Sequence, residues 1–168
     1  HKKFFIRDAD DNVYPVGKIY HCSTRRDMMV FDLKQYPEKI VPLRLQQHLE
    51  VGDTVFSAGN ALGEGIAYRA GQVASFTPER EYGDWKDIRF SSPASPGNSG
   101  GPLLNLQGEA VGLIIKKTQS ENYNIAVPIS EFDNLAKEAK FDLRHITVAI
   151  QGTDKHIIRD WTHAVPLP

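Results

Sequence analysis

The chain has 168 residues, 40% of them apolar, enough to bury about two-thirds of its unfolded surface in one or two compact units. Its 20 Lys and Arg against 21 Asp and Glu leave a formal net charge of −1, which removes the electrostatic case for nucleic acid or an anionic membrane as partner. The single cysteine, Cys22, excludes an internal disulfide framework and a CxxC metal site, and no apolar run approaches the ~18 residues that span a bilayer.

Lys3 to Arg7 and Tyr14 to Cys22 are short, aromatic and β-branched, with the turn formers Asp8 to Asn12 between them, and they predict a hairpin. Arg25-Arg26-Asp27 then leads into the apolar run Met28 to Leu33, placing Asp27 at the mouth of a strand. Val41 to Leu45 reads as a short strand whose Pro42 suggests an edge, and Gln46 to Glu50 as a turn. Val51 to Gly59 is the next strand, entered by a Gly-Asp turn. The glycines of Asn60 to Gly65 bring no Gly-Lys-Ser/Thr and no following helix, so a phosphate loop is excluded. Ala67 to Phe76 predicts a strand with a bulge at Gly71, Thr77 to Lys86 an exposed loop, and Asp87 to Phe90 a strand returning inward.

Ser95 to Leu104 reads Ser-Pro-Gly-Asn-Ser-Gly-Gly-Pro-Leu-Leu. Three glycines and two prolines around one hydroxyl forbid a helix or strand through Ser99. Such a turn can aim consecutive N–H groups at one point beside the Ser99 hydroxyl, which is what acyl transfer needs of a nucleophile and its oxyanion hole. A Gly-Ser surface loop with no chemistry is the alternative. Beyond it, Ala110 to Ile115 and Tyr123 to Val127 are strands joined by a polar turn. Ser130, with Asp133 three positions on, predicts the cap of a helix carrying Phe132, Leu135, Ala136 and Ala139 on one face. Ile146 to Ile150 and His156 to Trp161 are expected as further strands.

Gly97-Asn98-Ser99-Gly100-Gly101-Pro102, followed by Leu103 to Gly112, resembles the nucleophile motif of the chymotrypsin-like serine peptidases, in the form found in their HtrA/Deg branch. The α/β-hydrolase elbow, which needs a strand before its serine and a helix after it, does not fit the flanking prolines. The resemblance extends over roughly Phe4 to Lys140, and includes Val51 to Asn60, which is similar to the segment before the linker between the two barrels of those enzymes. It implies an all-β, chymotrypsin-like double β-barrel with the first barrel incomplete and a short C-terminal helix. Residues 1–62 would supply later strands of the N-terminal barrel, with Asn60 to Gly65 as linker. Residues 63–145 would form the C-terminal barrel and helix, and 146–168 an extension too short for a PDZ domain.

The implied activity is peptide-bond hydrolysis through a Ser-His-Asp triad, with no cofactor and no metal. Ser99 would be the nucleophile, and Gly97, Asn98 and Ser99 would frame the oxyanion hole. Asp27, set in a similar Arg-x-Asp-hydrophobic context, would be the orienting acid. An acid capping a turn beside Arg25 and Arg26 is the plainer reading of that residue. His1 stands upstream of Asp27 as the candidate base, against a truncation or tag residue; His21 lies on a strand, and His48, His145, His156 and His163 show no metal-ligand spacing. The resemblance further places Pro93, Ala94 and Ser95 along the primary specificity pocket, and Ile114, Ile115 and Lys116 along the edge that a substrate strand joins. With no acid at the pocket base, small or medium apolar substrate side chains are expected. The implied partner is a polypeptide substrate, a homo-oligomer is compatible with it, and an extracytoplasmic or secreted location goes with the resemblance. Two other classes stay open: a proteolytically inactive peptide-binding module on the same fold, and an unrelated β-rich structural domain.

Overall fold

The computed structural model describes residues 4–60, 65–94, 97–117 and 123–135. The chain divides into two compact units, His1–Val41 with Leu135–Pro168, and Pro42–Asn134. In the first, β1 (Phe5–Arg7), β2 (Val13–Ser23) and β3 (Met28–Leu33) form an antiparallel sheet in that order. The expected hairpin forms because Asp8 builds its turn: Oδ1 accepts the amides of Asp10 and Asn12, each at 2.9 Å, while Asp11 takes a left-handed φ of 64°. Farther along β2 the register to β3 shifts between Val16 and Ile19. There the Asp32 carboxylate takes the Lys18 amide and the Tyr20 hydroxyl, the latter at 2.8 Å, and a side chain at Gly17 would collide with it.

The second unit is a closed barrel of six antiparallel strands, ordered β4 (Thr54–Gly59), β5 (Ala67–Pro78), β6 (Lys86–Phe90), β9 (Asn124–Pro128), β8 (Ala110–Lys117) and β7 (Pro102–Leu104). Val55, Val73, Ile88, Phe90, Leu103, Val111, Ile114 and Ala126 make its core. Because side chains repeat every second residue along a strand, the same inner face continues as Ser57 and Gly59 on β4, Gly71 on β5, Asn124 on β9 and Ser92 just past β6. All of these lie toward one end of the barrel, where β4, β6 and β8 finish and β5, β7 and β9 begin. The interior is therefore apolar over most of its length and small or polar at that end.

Several expectations are revised. Thr54 to Gly59 pairs residue by residue with Gln72 to Ala67, so β4 and β5, on either side of the expected boundary at 62/63, belong to the same barrel. Val41 to Leu45 is not a strand: Pro42 has no N–H to donate, and only Leu45 bridges, in parallel, to Ala110. Gly71 sits in regular register opposite Val55, and the irregularity falls between Val73 and Ser75. Gly71 is needed instead for close approach, since a side chain there would meet the Ser92 backbone. The 79–85 loop is organised around a buried Glu79 carboxylate, which accepts the amides of Glu81, Tyr82 and Gly83 at 2.7 to 2.8 Å. Ser130 caps nothing: it lies inside a 3-10 turn, Ile129–Glu131, that Pro128 initiates without a side-chain cap, and α1 (Phe132–Leu135) follows. The rest of the expected helix and the strands expected at 146–150 and 156–161 lie outside the described residues.

Candidate active site

The turn that carries Ser99 is fixed on two sides. Gly97 and Gly100 adopt φ of 103° and 83°, values a side chain would strain. The Gly100 amide donates to Ile114 O at 2.7 Å, and the Ile114 amide to Gly101 O at 2.9 Å, which zips the turn to β8. On the other side a side chain at Gly101 would strike Ala58 O on β4. The buried Asn98 packs over Gly59, where an added Cβ would come within 3.0 Å of Asn98 Cγ. With Asn98 inside, Ser99 projects outward into solvent.

The Ser99 hydroxyl donates only a long bond, 3.4 Å, to Ile115 O. Gly100 and Gly101 spend their amides on Ile114 O and Asn98 O, whereas those of Gly97, Asn98 and Ser99 donate to no acceptor among the described residues. Amide donors beside an exposed hydroxyl are the groups that an anion-binding turn uses. Ile115 is the irregular residue of β8, falling between the pairs Ile114↔Ala126 and Lys116↔Ile125. Strand β7 pairs with β8 no farther than Pro102↔Leu113, so past Ile114 the outer side of β8 has no strand partner among the described residues.

The segment leading to the turn is tied to the barrel at successive residues. Asn124 Nδ2 donates to Ser92 O at 2.7 Å and Ser57 Oγ to Pro93 O at 2.9 Å; Ala94 is buried and Pro93 exposed. Of the residues expected in the site, Gly97, Asn98, Ser99, Ile114 and Ile115 are thus brought together, with Pro93 and Ala94 on the strand end that feeds them. Lys116 continues the same strand, and Ser95 and His1 lie outside the described residues. Asp27 belongs to the other unit. It closes the turn between the paired residues Ser23 and Met28 with a left-handed φ of 53°, and it is exposed. The buried Ser23 holds that turn, its Oγ accepting the Arg26 amide at 3.0 Å. Sequence reasoning missed Ser57, Ser92 and Asn124. Their signal was faint: single polar residues at the ends of otherwise apolar strands.

The sequence matches the family described as Trypsin-like peptidase domain over residues 1–113. The chain belongs to this family. The matched span takes in the Ser99 turn and Asp27, and the strand-rich fold agrees with it. Among curated relatives, the chain is 28% identical over 127 residues to a putative serine protease HhoB from Synechocystis sp., covering 72% of this chain and 30% of the relative. It is 29% identical over 113 residues to a probable periplasmic serine endoprotease, DegP-like, from Chlamydia pneumoniae, covering 66% and 23%. A protein of the same description from Brucella suis is 28% identical over 159 residues, covering 88% and 31%. The chain therefore spans about a third or less of the length of these relatives.

Proposed function

We propose that the chain is a serine endopeptidase domain that hydrolyses polypeptides with Ser99 as nucleophile. Ser99 Oγ attacks the scissile carbonyl, and the carbonyl oxygen, now negative, is held by the amides of Gly97 and Ser99. A histidine, His1 in this chain, takes the hydroxyl proton and delivers it to the departing amine, leaving an acyl ester on Ser99 that water then cleaves. Asp27 orients that histidine and stabilises its cation. The substrate backbone lies along Ile114, Ile115 and Lys116 as an added strand, with its preceding side chain toward Pro93, Ala94 and Ser95.

The observation that carries this reading is the division of labour among five consecutive amides. The Gly100 amide holds the turn to β8 and that of Gly101 closes it onto Asn98 O, while those of Gly97, Asn98 and Ser99 have no acceptor among the described residues. The names of the relatives point the same way. A fluorophosphonate probe tests it: the chain becomes labelled at Ser99, Ser99→Ala abolishes labelling, and Asp27→Asn slows it by a factor on the order of 10³ or more. Equal labelling of the Ser99→Ala variant, or none of the parent chain, refutes it.

A further inference from the structure

The ladder that carries the chain toward Ser99 ends at Phe90, the last residue of β6, which pairs with Val73 on β5 and Asn124 on β9. Each of the next three residues is tied to a different strand. The Ser91 amide donates to Gln72 O on β5 and the Ser91 hydroxyl accepts the Gln72 amide, both at 3.0 Å. Ser92 O accepts Asn124 Nδ2 from β9 at 2.7 Å, and Pro93 O accepts Ser57 Oγ from β4 at 2.9 Å. The Ser91 amide needs no particular side chain for its bond, whereas the carbonyls of Ser92 and Pro93 are held by side chains.

Both donors are shielded from water, Asn124 being 3% and Ser57 0% exposed, so solvent does not compete for the two carbonyls. Behind Ser92 there is no slack, because a side chain at Gly71 would strike its backbone. On the far side of Ser99 the turn is fixed by the Gly100 amide on Ile114 O and the Gly101 amide on Asn98 O. The amides of Gly97 to Ser99 thus lie between a downstream attachment made by main chain and an upstream one made by Asn124 and Ser57. A donor serves an oxyanion only within about 2.7–3.1 Å, and a displacement of about 1 Å can cost on the order of 100-fold in rate.

We infer that Asn124 and Ser57 are positioning residues for hydrolysis. Acting through the Ser92 and Pro93 carbonyls, they set where the Gly97 and Ser99 amides stand relative to the Ser99 hydroxyl. Slack upstream weakens the hold on an oxyanion that exists only along the reaction path, so the loss falls on kcat more than on KM. The inference rests on the hydrolytic reading above.

The test compares Asn124→Leu, Ser57→Ala and the double variant with Ile88→Val, a truncation in the apolar core that removes neither tie. Asn124→Leu keeps the side-chain bulk, and the Oδ1 it removes has no partner among the described residues. A fluorogenic peptide is used under conditions where every variant is folded. Each single variant is expected to lower kcat by about tenfold or more, with KM within about twofold. The double variant should lose less than the product, because the two ties hold one segment, and Ile88→Val should keep its kcat although its Tm falls. Amide exchange at Gly100 and Gly101 should rise in both single variants while that at Ile88 stays unchanged. If Asn124→Leu fails to fold, Ser57→Ala decides. A kcat within about twofold of the parent in both single variants, a loss no larger than that of Ile88→Val, or a loss confined to KM overturns the inference and leaves hydrolysis standing. A parent chain with neither turnover nor probe labelling overturns hydrolysis; raised exchange at Gly100 and Gly101 then still upholds the two ties as what holds the turn, and unchanged exchange overturns that as well.

Discussion

Gly71→Ala isolates the contact on which the active-site segment rests. Gly71 has no unusual φ, so the substitution adds no backbone strain, and its effect must come from space. The added methyl would fall on the Ser92 N and Cα and stand 2.6 Å from its Cβ, where ordinary contact begins near 3.4 Å. Backbone atoms cannot rotate aside, and Gly71 is held from behind by its pairing with Val55 in a closed barrel. Relief requires β5 and the 91–92 backbone to part by about 1 Å, an overpacking cost at the upper end of the usual ~1–3 kcal/mol. For a chain of 168 residues this corresponds to a Tm lowered by roughly 5–10 °C. Equilibrium urea unfolding followed by the fluorescence of the buried Trp85 measures it. Ser92→Gly removes only the Cβ, so adding it to Gly71→Ala should restore less than half of the loss. Because Ser92 begins the segment that reaches Ser99, Gly71→Ala should also slow probe labelling under conditions where the chain remains folded. A loss below about 0.5 kcal/mol, the range of neutral surface changes, or full rescue by Ser92→Gly, would refute the backbone-clash reasoning.

Glu79→Gln leaves one acceptor oxygen where the carboxylate served the amides of Glu81, Tyr82 and Gly83. It should cost about 1–3 kcal/mol and raise amide hydrogen exchange at 81–83, with none at the barrel core. Ser23→Ala deletes the acceptor of the Arg26 amide and should cost about 1 kcal/mol; if Asp27 orients the base, it should also slow Ser99 labelling. The Tyr20 hydroxyl and the Lys18 amide hold the Asp32 carboxyl below its ordinary value. A depressed folded value means that the contribution is complete above the unfolded carboxylate pKa of about 4 and is lost as pH falls through the lower folded value. Tyr20→Phe should raise the Asp32 pKa in an NMR titration of its carboxyl carbon; an unchanged midpoint refutes that cause.

What could be read from the sequence followed local rules. Asp8 to Asn12 was legible as a turn because Asp and Asn accept their own following amides, and the Ser99 turn because glycine and proline permit little else there. The strands of the barrel were legible from their apolar alternation. The boundary between units was not: residues 60–66 carry the glycines of a linker, yet their ends are joined by pairing between Gly59 and Ala67, which no local composition reports. Gly71 looked like a bulge for the same reason, since a glycine needed for close approach and one needed for an irregular strand are identical in sequence. Ser130 met the rule for a cap and was overruled by Pro128, whose fixed φ of −58° leads directly into a 3-10 turn.

The uneven barrel interior separates what stabilises the fold from what shapes the site. Val55, Val73, Ile88, Phe90, Leu103 and Ile114 form a packed apolar plug, in which truncation to Ala costs several kcal/mol. Toward the Ser99 end the same inner face changes to Ser57, Gly59, Gly71, Ser92 and Asn124, which bury little apolar area and so contribute little hydrophobic stability. A chain under selection for stability alone would fill that end with apolar side chains, because orphaned polar atoms there oppose folding. Asn124 and Ser57 instead tie down the segment that leads toward Ser99, Asn124 Nδ2 donating to Ser92 O and Ser57 Oγ to Pro93 O, so this end of the barrel serves to position the turn more than to add hydrophobic stability.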